Sequence, residues 1–243
     1  MDRTRVAVMG AGSIGCHLGG WLAAAADVTL IGRQPLVDAV AREGLTVTDL
    51  RGHTRTVRPD GLTPATEASA VVGAHYVLLT TKTLGTRAAV RQIAPYLQPD
   101  SVVISMQNGL RNATQIDEAL AGAFPSRASR PFVLSGMVPF NVVRAGETHW
   151  AQTTSGHIRV KDHPRVDPFV RAAQGSGLRV EVDPDMRAVL FGKLLLNLNN
   201  AINALTGLPR QSSCVTATAA PCSLPVRTSR WPRPAGSGST PPG

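Results

Sequence analysis

The stretch RVAVMGAGSIGC, residues 5–16, decides how this chain folds. After Arg5 an apolar run reaches Gly10, glycines recur at the spacing G-x-G-x-x-G, and the next residues, SIGCHLGGWLAAAA, continue as an apolar-rich helical segment. Strand, glycine turn and helix in that order are the setting in which this spacing means more than chance. Gly10 permits the tight turn, Gly12 lets the backbone approach a pyrophosphate, and Gly15 lets the helix pack closely on the strand. The first turn of the helix then offers free N–H groups to phosphate oxygens. Gly10, Ala11, Gly12, Ser13, Ile14 and Gly15 are therefore candidate dinucleotide-binding residues.

Working outward, further short apolar runs alternate with helical periods: DVTLIG, then AHYVLLTTK, then SVVISMQNG. This alternation predicts an α/β fold, a parallel sheet covered by helices. Residues 44–57, GLTVTDLRGHTRTV, alternate about an Arg-Gly turn signal and read as an inserted hairpin. Residues 132–182 hold more strand-like pieces around one short helical period near 167–174, and are expected to extend the same sheet. Asp183-Pro184 reads as a helix start, a capping acid followed by proline at the first helical position. Beyond it Leu194, Leu198, Ala201 and Leu205 recur as one apolar stripe, with Lys193, Asn197 and Asn200 as a polar stripe beside it.

Composition narrows the class. With 43% apolar residues in 243, the chain can build a sizeable core. Its net charge of +9 comes almost wholly from arginine and forms no basic run, so neither nucleic acid nor an anionic membrane is an expected partner. No segment approaches the ~18 apolar residues of a membrane span. The three cysteines, Cys16, Cys214 and Cys222, are an odd count without a histidine pair at ligand spacing, so no disulfide framework and no metal site is expected. A reducing, cytoplasmic compartment follows as the expectation.

Three further positions close strands on the side where ligands bind to open α/β sheets. The second strand ends TLIGR, and Arg33 stands where a site for NAD would place an acid; arginine suits a 2′-phosphate, so NADPH is the expected cofactor. TTK ends in Lys82, notable because lysine occurs only at 82, 161 and 193. QNG, residues 107–109, brings Asn108 to the same edge, although Asn-Gly is also an ordinary turn signal. On the late helix, an ammonium beside a carbonyl oxygen can stabilise an alkoxide and donate the proton, and neighbouring amides can bind hydroxyl or carboxylate groups.

Together GAGSIG, Arg33, TTK, QNG and GKLLLNLNNAINALTG resemble the ketopantoate reductase (2-dehydropantoate 2-reductase) family, over residues 5–208. The resemblance implies a Rossmann-type domain followed by an all-helical one, NADPH as reductant, a small 2-keto acid as substrate, and reduction of 2-dehydropantoate to pantoate for pantothenate synthesis. It implies Lys193 as general acid, Asn197 as a substrate ligand, and Asn108 touching both cofactor and substrate. The commoner family form places its second amide eight residues after the lysine; here that position is Ala201, leaving Asn200 or Asn203 to substitute. A homodimer is allowed by the resemblance and is not determined by it.

The family continues through several helices that contribute a serine and a glutamate to the substrate site, whereas no glutamate follows Glu181 here. Residues 211–243 hold six prolines, six serines and four threonines and no Asp, Glu or Lys, too little apolar content to offset chain entropy. The expected organisation is a cofactor domain over 1–182, the first helix of a helical domain over 183–208 that is cut short, and a disordered tail over 209–243. That tail is either native or, as we expect, an out-of-frame continuation from near Pro209. Impaired activity is the corresponding expectation. The alternatives are a non-catalytic NADPH-binding remnant and a related reductase of another 2-keto acid or an imine.

Overall fold

The computed structural model describes residues 3–206, with the side chains of the last helix described as far as Leu198. The expectations for residues 209–243, for Cys214 and Cys222, and for the side chains of Asn200, Ala201, Asn203 and Leu205 fall outside what is described. Strand β1 (Thr4–Met9) leads into helix α1 (Ser13–Leu22), β2 (Ala26–Ile31), α2 (Gln34–Glu43), β3 (Leu45–Thr48), β4 (Thr54–Val57), β5 (Thr63–Ala65) and β6 (Tyr76–Leu79). Then come α3 (Thr86–Ile93), β7 (Val102–Ser105), α4 (Asn112–Ala123), β8 (Phe132–Met137), β9 (Val142–Arg144), β10 (His149–Gln152), β11 (Ile158–Lys161), α5 (Asp167–Gly175), β12 (Val180–Asp183) and α6 (Met186–Thr206).

Among the described residues the larger sheet has the order β12-β11-β8-β7-β6-β1-β2-β5. Strands β5 through β8 in that row all run parallel, and only β11 and β12 run against them. The central strands are buried on both faces, which is why VAVM and YVLL read as unbroken apolar runs rather than alternating ones. Val6 and Val8 face a core shared with α1 and α5, and Ala7 and Met9 face the one under α3 and α4. The order reverses between β1 and β6, and an open sheet of this kind binds ligands at the strand ends flanking that point.

One expectation needs correcting. Of the strand-like pieces over 132–182, β8, β11 and β12 extend the main sheet as expected, but β9 and β10 do not: they pair with the inserted hairpin β3–β4 in a separate four-stranded sheet. Helix α1 lies between the two sheets, so both of its faces are buried. The pair Gly19-Gly20 makes this possible. A Cβ on Gly19 would face Val28 and Leu30 of the main sheet at 3.5 Å, and one on Gly20 would collide with Val47 of the second sheet at 2.5 Å. Arg55 of β4 then seals the end of α1, donating to the carbonyls of Trp21 and Ser176, both at 2.9 Å, with its guanidinium 4.6 Å from the Trp21 ring centroid.

The start of α6 also lies two residues later than expected. Asp183 closes β12 and accepts the Asp185 amide at 2.8 Å, while Asp185 is the cap, accepting the Ala188 amide at 3.0 Å. Met186 and Leu190 bury against Met137 at the end of β8, which fixes the first half of the helix. Farther along, Phe191, Leu195, Leu196 and Leu198 are each about half exposed, and Leu194 is partly buried.

Candidate active site

The glycine turn behaves as its spacing demands. Gly10 has φ +115°, a conformation that side chains rarely adopt, and a Cβ there would lie 2.7 Å from the Thr81 amide nitrogen. The Gly10 and Ala11 amides both donate to the Ile31 carbonyl, binding the turn to β2. A Cβ on Gly15 would stand 2.2 Å from the Gly10 carbonyl oxygen, so only glycine lets α1 start this close to the turn. Gly12 is the opposite case: a Cβ there would meet nothing within 4 Å. Gly12 caps α1 with no side chain on the first amides of the helix, leaving the Ser13 and Ile14 N–H groups facing an open cradle suited to a pyrophosphate.

The neighbouring strand ends supply the remaining candidates. Arg33 follows β2, is exposed, and caps α2. Among the described residues its guanidinium makes no hydrogen bond or ion pair. The preceding Gly32 approaches Ala11 so closely that a Cβ would lie 2.5 Å from the Ala11 Cβ, so Arg33 stands beside the glycine turn. Lys82 lies beyond the end of β6 and is exposed. Asn108 lies beyond the end of β7, likewise exposed, with its backbone carbonyl accepting from Asn112 Nδ2 at 2.6 Å and Thr83 Oγ1 at 3.2 Å.

Lys193 reaches the same edge from α6. Its Nζ donates at 2.9 Å to the carbonyl of Pro139, just past the end of β8, the strand parallel to and beside β7. Asn197, one turn on, is partly buried. The ends of β2, β1, β6, β7 and β8 therefore present, in spatial order, Arg33, the glycine turn, Lys82, Asn108 and the Lys193 tether.

Two residues without an assigned role prove to hold this edge together. Thr80 donates its hydroxyl to the Gly10 carbonyl at 2.7 Å. Gln107 is buried and donates to the Thr81 carbonyl at 2.7 Å and to Thr86 Oγ1 at 2.8 Å. Both stand inside TTK and QNG, but their partners are far away in sequence, and neither residue type announces such a contact.

Two buried groups under the turn stay out of this chemistry. Burial pushes the Cys16 thiol up to about 12, slightly offset by Arg144. Burial pushes His17 down to about 4, opposed by the Trp150 backbone and by Asp49. Neither His17 ring nitrogen attains a hydrogen bond; the ring stands edge-on to Phe140 and Trp21. Among the described residues there is no group of metal-ligating side chains, and no helix is long and apolar enough to cross a membrane.

A parallel sheet with a glycine turn at its reversal point is the Rossmann-type arrangement of dinucleotide-binding proteins, and here a lysine is brought to the same edge. A family profile described as "Ketopantoate reductase PanE/ApbA" matches residues 6–165, and the chain belongs to that family. A PanE/ApbA family ketopantoate reductase from Ralstonia eutropha JMP134 superposes with a TM-score of 0.74 at 30% identity, covering 85% of this chain and 65% of that one. A glycerol-3-phosphate dehydrogenase [NAD(P)+] from Rhizobium johnstonii is 37% identical over 198 residues, 79% of this chain and 58% of the relative. A 2-dehydropantoate 2-reductase from Caulobacter vibrioides is 26% identical over 213 residues, 85% of this chain and 66% of the relative. The chain thus spans less than two thirds of the length of these relatives.

Proposed function

We propose that this chain serves the NADPH-dependent reduction of 2-dehydropantoate to pantoate, with NADPH lying along the strand ends from Arg33 to Asn108. The observation that carries the reading is the Lys193–Pro139 contact, which brings an ammonium to the edge that already holds the glycine turn. When bound, NADPH supplies the hydride that reduces the carbonyl carbon.

The protein's own groups do the rest. The Ser13 and Ile14 amides bind the pyrophosphate, Arg33 pairs with the 2′-phosphate, and Lys82 adds positive charge beside the glycine turn. Lys193 Nζ, held by the Pro139 carbonyl, donates its proton to the substrate oxygen as that oxygen gains negative charge. Asn108 and Asn197 orient the keto acid by hydrogen bonds that add no charge, and Asn200, three residues further along the α6 sequence, is the remaining candidate amide.

A second reading, interconversion of glycerol 3-phosphate and its ketone, draws support from the 37% identity to the Rhizobium johnstonii relative. Initial rates of NADPH consumption with 2-dehydropantoate, other 2-keto acids and dihydroxyacetone phosphate separate the two. The highest kcat/KM with 2-dehydropantoate supports the proposal. A higher value with another 2-keto acid or with the phosphorylated ketone moves the substrate accordingly, and NADPH binding with no turnover on any of them makes the chain a cofactor-binding protein only.

A further inference from the structure

Helices α3 and α4 run side by side over one face of the main sheet and share a core of Val90, Ile93, Ile116 and Leu120. On their outer surface an ion pair joins them, Arg87 with Glu118. One turn further along, at i+4 on each helix, α3 offers Arg91 but α4 offers Gly122, so the rung is not repeated. No acid on these helices is left to answer Arg91. Helix α3 has none, and the two on α4 are engaged, Glu118 by Arg87 and Asp117 by Arg127 and Arg130. Among the described residues the Arg91 guanidinium makes no hydrogen bond or ion pair. The missing rung leaves a cleft of about 620 Å3, lined by Arg91 and Gly122 and by the apolar groups of Ala94, Leu97, Ala119 and Phe124. Neither backbone nor packing calls for Gly122: its φ is not positive, a Cβ there would meet nothing within 4 Å, and glycine is a poorer helix former than alanine. Its visible effect is the space it leaves. The dipole of α3 favours a cation in its last turn, which accounts for the charge of Arg91 but not for the glycine opposite.

We propose that this cleft binds a small amphipathic monocarboxylate, its carboxylate on Arg91 and its apolar body against Leu97, Ala119 and Phe124. A volume of this size suits a small ligand rather than a protein segment. An unengaged guanidinium takes a carboxylate through two parallel hydrogen bonds. Arg91 is the only polar side chain lining the cleft among the described residues, so a sugar or a polyanion would find no further partners there. The site is remote from the cofactor crevice. Helices α3 and α4 leave the ligand-binding edge after β6 and β7, and their last turns stand at the other edge, where β7 and β8 begin. A ligand there reaches neither the glycine turn nor Lys193, and its binding does not depend on what occupies the crevice.

Octanoate is the probe, titrated into the whole chain by isothermal calorimetry beside 1-octanol, which has the chain without the charge, and acetate, which has the charge without the chain. Wild type should bind octanoate saturably at one site, octanol on the order of tenfold more weakly, and acetate not measurably. Gly122→Leu fills the cleft from an exposed position with nothing within 4 Å, so the fold should be kept, as circular dichroism checks, and octanoate binding lost. Arg91→Gln should weaken octanoate about tenfold and leave octanol unchanged. No saturable octanoate binding to wild type overturns the proposal. So does binding that survives Gly122→Leu, which would put the anion elsewhere, for instance on the exposed leucines of α6. Equal binding of octanol and octanoate, or an Arg91→Gln variant with undiminished octanoate affinity, overturns it as well, because the cleft would then select no carboxylate.

Discussion

Lys193 Nζ donates to the Pro139 carbonyl at 2.9 Å, a contact between residues 54 apart that ties α6 to the ligand-binding edge of the main sheet. The contact fixes the ammonium at the strand ends, where the proposed general acid has to stand. Lys193→Ala should therefore lower kcat with the preferred keto acid about 100-fold or more, since a positioned general acid contributes on that scale. NADPH affinity should change less than about twofold, because the groups proposed to hold its phosphates, the glycine turn and Arg33, lie three and four strands away. Steady-state kinetics and a cofactor titration on the same preparation check both halves.

The glycine turn makes a paired prediction. Gly12→Ala should cost the free protein less than about 1 kcal/mol, as nothing lies within 4 Å of the new methyl group and only a cap preference is lost. It should nevertheless weaken NADPH binding strongly, because the methyl fills the cradle. Gly15→Ala places a Cβ 2.2 Å from the Gly10 carbonyl oxygen, and should destabilise the fold itself by roughly 1 to 3 kcal/mol. Urea unfolding without cofactor separates the two, the first variant staying near wild type and the second losing stability.

His17 sets a pH dependence of stability. In the unfolded chain it takes up a proton near 6.5, but in the folded protein burial delays this to about 4. Between those values the unfolded state binds more protons, so this group's contribution is fully present above 6.5 and declines as pH falls towards 4. The loss amounts to roughly 2 to 3 kcal/mol across that window. His17→Leu should flatten that part of the stability profile relative to wild type. Parallel profiles would show that the ring gains a partner on protonation.

Cys16 should be chemically silent. A buried thiol pushed up to about 12 has almost no thiolate at neutral pH. In a Cys214→Ser, Cys222→Ser background, native protein should show no thiol reactive towards Ellman's reagent, and denatured protein should show one. A reactive native thiol would mean that α1 opens away from the second sheet.

Much of this architecture was legible because its determinants are local. Gly10, Gly12 and Gly15 specify a turn, an open cradle and a close contact through backbone sterics that any strand–turn–helix imposes. The alternation over residues 44–57 likewise gives a hairpin whatever surrounds it. Where that hairpin goes was not legible, since its place depends on Val47 meeting Gly20 across the buried helix, a tertiary contact without a sequence signature. The start of α6 was misread for a local reason: Asp183-Pro184-Asp185 offers two acids, and pairing of β12 with β11 keeps the first one in the strand. Lys193 stood out because lysine is scarce in this chain, but neither Pro139 nor the Gln107 hydrogen bonds could be found by spacing. Their partners lie 54 and 21 to 26 residues away, and only the folded sheet edge brings them together.

The claim that matters most is that NADPH lies along this edge with its 2′-phosphate at Arg33. Titrating the wild-type chain with NADPH and with NADH, and repeating both with Arg33→Asp, measures it directly. A charge-assisted arginine–phosphate contact is worth roughly 1.5 to 3 kcal/mol, so wild type should prefer NADPH about 10- to 100-fold and the variant should lose or reverse that preference. Equal affinities for the two cofactors in the wild-type protein would contradict the account.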